Sequence, residues 1–212
     1  MSTDAPALTP ARQWLRAELT LAVLAALSLL LNFVKITTIY EGLPAHPLFL
    51  HVPVILIPTV TIAALVFAVK TDWFGRWGVA LATVTVIALA SLGLTEGAGE
   101  ALKNALGIGG GIISQHIHAA HILRWLFIGF TALLLATLYA HRSAAPEAAR
   151  AGLRVVLVLV SLATLYYVWR TGDLGAKAVW YQRLHGFGGG GHGFPGGFGG
   201  GGGGGFGPPS GG

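Results

Sequence analysis

The chain contains no cysteine. That absence excludes a disulfide framework, a thiolate metal site, iron–sulfur ligation and covalently attached haem, leaving histidine, carboxylate and methionine to hold any metal. Charge is also scarce: Asp, Glu, Lys and Arg make up 10% of the 212 residues, against 54% hydrophobic ones, and mean hydropathy is +0.70. Soluble domains carry about 25% charged residues, so water is not the main solvent here. The net charge of +5 does not point to nucleic acid, because no basic stripe with interleaved aromatics exists. The basic residues stand singly at the ends of apolar runs and read as topology signals. An HExxH sequence, a nucleophile elbow and a catalytic triad are missing, and the GIGGG stretch at 107–111 lacks the Lys-Ser or Lys-Thr of a phosphate loop. Whether the chain is an enzyme is left open.

Long apolar runs are what the sequence does have. They cover 19–34, 48–69, 77–94, 117–140 and 153–169, each near the roughly 20 residues a helix needs to cross the hydrocarbon core. The expected fold class is all-α, a multi-pass transmembrane bundle with a four-helix core of two tandem hairpins and an extra N-terminal span. The first run is too long for a signal-peptide h-region and reads as an uncleaved anchor. The expected organisation is a cytoplasmic segment at 1–18, an anchor at 19–40, a four-helix domain at 43–185 and a disordered Gly/Phe-rich tail at 186–212. Arg12, Arg16, Lys70, Arg76, Arg142, Arg150 and Arg154 lie at one set of span ends, against Lys35, Lys103, Arg170, Lys177 and Arg183 at the other. This bias predicts a cytoplasmic N-terminus and an extracytoplasmic tail in a bacterial inner membrane. The lipid bilayer is the first expected partner, and the phenylalanines of the tail could contact a second.

The hairpins look like a repeat. The second run opens HPLFLH, with His46 and His51 five apart, and the fourth opens HIHAAH, with His116 and His121 five apart; the runs after them end TEGAG and TGDLG. Parity then places His46, His51, Glu96, Glu100, His116, His118, His121 and Asp173 on one side of the membrane, with His141 opposite and His192 in the tail. Depth narrows this set. His46 precedes Pro47, a residue favoured in the first helical turn, so His46 is expected at the cap and His51 more than a turn inside. His51 facing His118 or His121 is the favoured pair. Two inward histidines at equal depth suit axial ligation of a b-type haem. A set of His46, His51, His116, His121, Glu96, Glu100 and Asp173 suits non-haem iron, copper or zinc. Arg124 lies about two turns inside its span and needs an acidic partner, Glu96, Glu100 or Asp173, or a haem propionate. Residue types and spacing do not choose between these sites, nor between them and interfacial histidines of a cofactor-free scaffold.

With HPLFLHVP at 46–53 and TGDLGAKAVW at 171–180, the chain resembles an uncharacterised bacterial family of predicted four-helix membrane proteins. That family carries an HPxxxHxP opening, a later His-Ala and a TGxxGGxxVY ending, matched by His46, Pro47, His51 and Pro53, by His118 and Ala119, and by Thr171, Gly172, Gly175 and Val179. Ala176 and Trp180 depart from the last motif. The resemblance covers about 43–187 and carries no established activity. Some members look joined to Rieske-type domains, which implies an electron-transfer setting and favours haem; on the depth argument above its site residues would be His51, His118, His121 and Arg124, with a quinone or redox protein as partner.

Overall fold

The computed structural model describes residues 10–39, 42–143 and 145–185. α1 (Pro10–Ser28) runs into a 3₁₀ turn (Leu29–Phe33), followed by α2 (Ala45–Val69), α3 (Asp72–Leu106), α4 (Gly111–Arg142) and α5 (Glu147–His185). No strand occurs among the described residues. A lone bridge between Thr38 and Pro44, with the Ala45 N–H donating to the Thr37 carbonyl at 3.0 Å, turns the chain into α2. Five stretches, Gln13–Phe33, Ala45–Val69, Asp72–Leu106, Gly111–Arg142 and Glu147–Trp180, are long and apolar enough to cross a membrane.

Turn chemistry sets the helix ends. α3 stops at Gly107, whose φ of 60° is left-handed and lets its N–H cap the last turn. Gly110, with φ 84°, stands at the N-terminal cap of α4. α2 passes through Pro53 and Pro58 without a break. Two helices greatly outrun the apolar runs that mark them: α3 has 35 residues and α5 has 39, where about 20 suffice to cross. The polar stretches after residues 94 and 169, beyond the apolar runs, are continuous helix.

α2 packs on α3 and α5, and α4 packs on α5 and α3, while α1 and its 3₁₀ turn lie against α3, with a smaller contact to α4. Phe74, Phe127, Phe130, Ile57, Leu134, Leu138 and Leu157 fill the interior, and Phe127 stacks on Phe130 with ring centroids 5.5 Å apart. Hydroxyls inside this core are satisfied within their own helices. Thr61, Thr85, Thr131, Ser161 and Thr164 each donate to the carbonyl four residues earlier, at 2.6 to 2.8 Å, so none of these five hydroxyls is left without a partner in the core. The outer faces are apolar, with Leu19, Val23, Ile55, Ile62, Leu159 and Trp169 among the exposed side chains. Small residues seat the 3₁₀ turn. A Cβ on Gly93 would lie 3.2 Å from the Ser28 carbonyl oxygen, and one on Gly97 would overlap the Val34 carbonyl. A Cβ on Gly129 would meet nothing within 4 Å.

Candidate functional site: two histidine sockets

α2 and α4 begin, and α3 and α5 end, at one end of the bundle. There the same arrangement occurs twice. The half-buried His46, near the start of α2, has Nδ1 at 2.9 Å from the Thr95 carbonyl oxygen of α3. The half-buried His116 of α4 has Nδ1 at 3.0 Å from the Thr171 carbonyl oxygen of α5. One turn after each threonine comes a glycine that makes room for the ring. A Cβ on Gly99 would come within 2.8 Å of His46 Nδ1, and one on Gly175 within 3.1 Å of His116 Cε1.

The bond fixes the tautomer. A carbonyl oxygen only accepts, so Nδ1 carries the hydrogen, and in the neutral ring Nε2 keeps its lone pair. Donation of one ring N–H to a backbone carbonyl, with the other nitrogen left as a base, is the usual second contact of a metal-ligating histidine. The rings are also near enough for charge on His46 to act on His116.

His46 therefore is not confined to a cap. The Thr38–Pro44 bridge starts α2 at Ala45 and leaves Pro44 at the cap, so His46 is already helical and its ring turns inward to Thr95. The depth-favoured residues are not enclosed within the bundle. His51, His118 and His121 are exposed; His118 lines a groove between α4 and α5, and His121 lies within electrostatic reach of Glu100.

Each acidic candidate faces a cation. Arg124 Nη1 is 3.1 Å from Glu96 Oε2, with both side chains mostly enclosed, which supplies the partner that an intramembrane guanidinium requires. Both Glu96 oxygens are enclosed and neither receives a well-formed hydrogen bond. Glu100 pairs with Lys35, and Asp173 with Lys177 at 2.8 Å and with Arg170 at 3.9 Å. Among the described residues no three of His, Asp and Glu stand close enough to hold a metal ion. The 186–212 tail, with His192, lies outside the described residues. At the far end His141 contacts the Phe74 ring, and Arg142 lies 3.7 Å from the buried Glu18 of α1.

Thr95, Gly99, Thr171 and Gly175 were not singled out as site residues by the sequence, although their signal was visible. TEGAG and TGDLG share a Thr-x-x-x-Gly spacing of one helical turn. That spacing sets a carbonyl beside a gap.

Residues 42–186 match the family described as "Predicted membrane protein (DUF2231)". The chain belongs to this family. The DUF2231 match contains both sockets and leaves α1 outside it. No curated protein and no solved structure matches the chain.

Proposed function

We propose that this DUF2231 protein binds one b-type haem, which His46 and His116 would hold, and that it serves in electron transfer with a quinone or partner protein. The supporting observation is the doubled socket: two rings on different helices, each oriented by an Nδ1–H bond and each keeping Nε2 for a ligand. Porphyrin supplies four ligands of its own, so two protein nitrogens complete a haem iron. Non-haem iron, copper or zinc ordinarily takes three or more protein ligands. The two-nitrogen donor set therefore fits haem better. The bound group would supply one-electron chemistry; the protein's part is to orient the imidazoles through the Thr95 and Thr171 carbonyls. Arg124 belongs in this reading to the ion pair with Glu96.

The same symmetry supports two hairpins, α2–α3 and α4–α5, related by a pseudo-two-fold axis, with α1 as an added span. Charge bias supports a cytoplasmic N-terminus in a bacterial inner membrane.

A visible spectrum of the detergent-purified full chain, expressed with ample haem, tests the reading. A Soret band with low-spin features is expected. His46→Ala and His116→Ala should each abolish the low-spin spectrum, whereas His51→Ala and His121→Ala should keep it. A protein with no Soret band but about one bound iron, copper or zinc by elemental analysis overturns haem in favour of a non-haem site. If neither is present, the sockets are staples between helices and the cofactor reading fails.

A further inference from the structure

A groove of about 500 Å³ opens between α4 and α5, beside the second socket. His118, Tyr166, Tyr167 and Arg170 wall it, Ser114 and Gln115 stand at its outer rim, and the buried Ala119 and Leu174 belong to its apolar lining. The volume is that of an ordinary small-molecule site.

Every polar side chain in this wall can donate a hydrogen bond: guanidinium, imidazole, phenol, hydroxyl and amide. No carboxylate lines it. Asp173 is held at 2.8 Å by Lys177 and reaches Arg170 only at 3.9 Å, so the guanidinium keeps most of its five donors. The donors also stand at two levels. Tyr166 precedes Arg170 by four residues of α5, roughly 6 Å along the axis, and lies deeper in the apolar span. A phosphate headgroup needs donors at one level near the helix end. A flat ring with acceptors on opposite edges uses both.

Register shows that this wall is not a by-product of the repeat. Aligned on the sockets, His118, Tyr166 and Arg170 correspond to Leu48, Ala90 and Leu94 of the first hairpin. Both hairpins fold with the socket, so the polar wall answers a demand the socket does not make. We infer that the groove binds the headgroup of an isoprenoid quinone, its carbonyl oxygens accepting from Arg170 and His118 at one edge and from the tyrosines at the other. The inference deepens the redox reading above and rests on it for its electron-transfer meaning; binding itself does not require the cofactor.

The test is titration of the full chain, in phosphatidylcholine nanodiscs, with decylubiquinone, followed by quenching of intrinsic fluorescence. Saturable quenching is expected. Arg170→Leu and His118→Leu should weaken it about tenfold or more, the scale of a lost hydrogen bond to a charged or polar donor, and Leu48→Ala should leave it unchanged. Tyr166→Phe, which removes one hydroxyl and no packing, should weaken it severalfold. His116→Ala, which removes a residue proposed to hold the haem, should still bind, so failure of the cofactor reading and failure of this one remain distinguishable. Non-saturable quenching, or one affinity shared by all variants, overturns the proposal. So does displacement of the quinone by phosphatidylglycerol with Tyr166→Phe unaffected, which would mark a phosphate site.

Discussion

The two sockets are alike where they touch histidine and unlike everywhere around it. In the first, the Thr95 hydroxyl donates to the Ser91 carbonyl at 2.8 Å, Lys35 pairs with Glu100, and the 3₁₀ turn covers α3 at Gly93 and Gly97. In the second, the Thr171 hydroxyl is enclosed without a hydrogen-bond partner, and an open groove lies alongside. Shared features, a carbonyl and a missing Cβ one turn on, are what an oriented imidazole needs. The features that differ decide what can approach it. The first hairpin is closed by the chain itself, and the second is open to something else.

The largest effect that could break this likeness is at the glycines. Gly99→Val should displace the His46 ring, because even a bare Cβ would stand 2.8 Å from Nδ1, and haem content measured as the pyridine haemochrome should fall about tenfold or more, an energy of about 1.4 kcal/mol. At Gly175, where the approach is 3.1 Å, Ala should cost less than the same change at Gly99. Equal retention in all these variants would mean that the sockets do not hold the cofactor.

On folding stability, as distinct from haem content, the largest effect is expected at the ion pair beside the first socket. Arg124→Leu leaves Glu96 enclosed and alone, a change that costs about 3–5 kcal/mol in buried pairs, read by chemical denaturation in detergent. Adding Glu96→Leu should recover most of the loss. No recovery would show that Arg124 acts through something other than Glu96. Glu18→Gln, which removes the charge facing Arg142 at 3.7 Å, should cost about 1–3 kcal/mol and loosen α1, seen as faster proteolysis near the N-terminus. The smallest effect is expected for Glu100→Gln. Its partner Lys35 is 41% exposed and Glu100 itself 56%, so the change should stay within about 1 kcal/mol.

Much of the fold was legible because apolar length is a one-dimensional signal: five runs became five helices. The helix extensions were not, since residues 95–106 and 170–185 are helical but too polar to register as span. The site was half legible. Arg124 advertised its need for a carboxylate, and Glu96 meets it. The histidines that bond the facing carbonyls, His46 and His116, are not the pair that depth favoured, because depth fixes a turn and not a face. His46 and His51 are five residues apart, as are His116 and His121, and at about 100° per residue each pair diverges by roughly 140°. If the first of each pair turns inward, the second must turn out. Choosing the deeper residue of each pair selected the outward ring.

Gly93 and Gly97 stand four residues apart on α3, the small-xxx-small spacing by which membrane helices commonly pair with a second copy of themselves. Here the chain's own 3₁₀ turn already occupies that furrow, with the Val34 carbonyl against Gly97 and the Ser28 carbonyl against Gly93. A DUF2231 unit without α1 would present the furrow as a bare self-association surface. With α1 in place, the protein has answered that invitation internally, and two copies that meet must do so across another face.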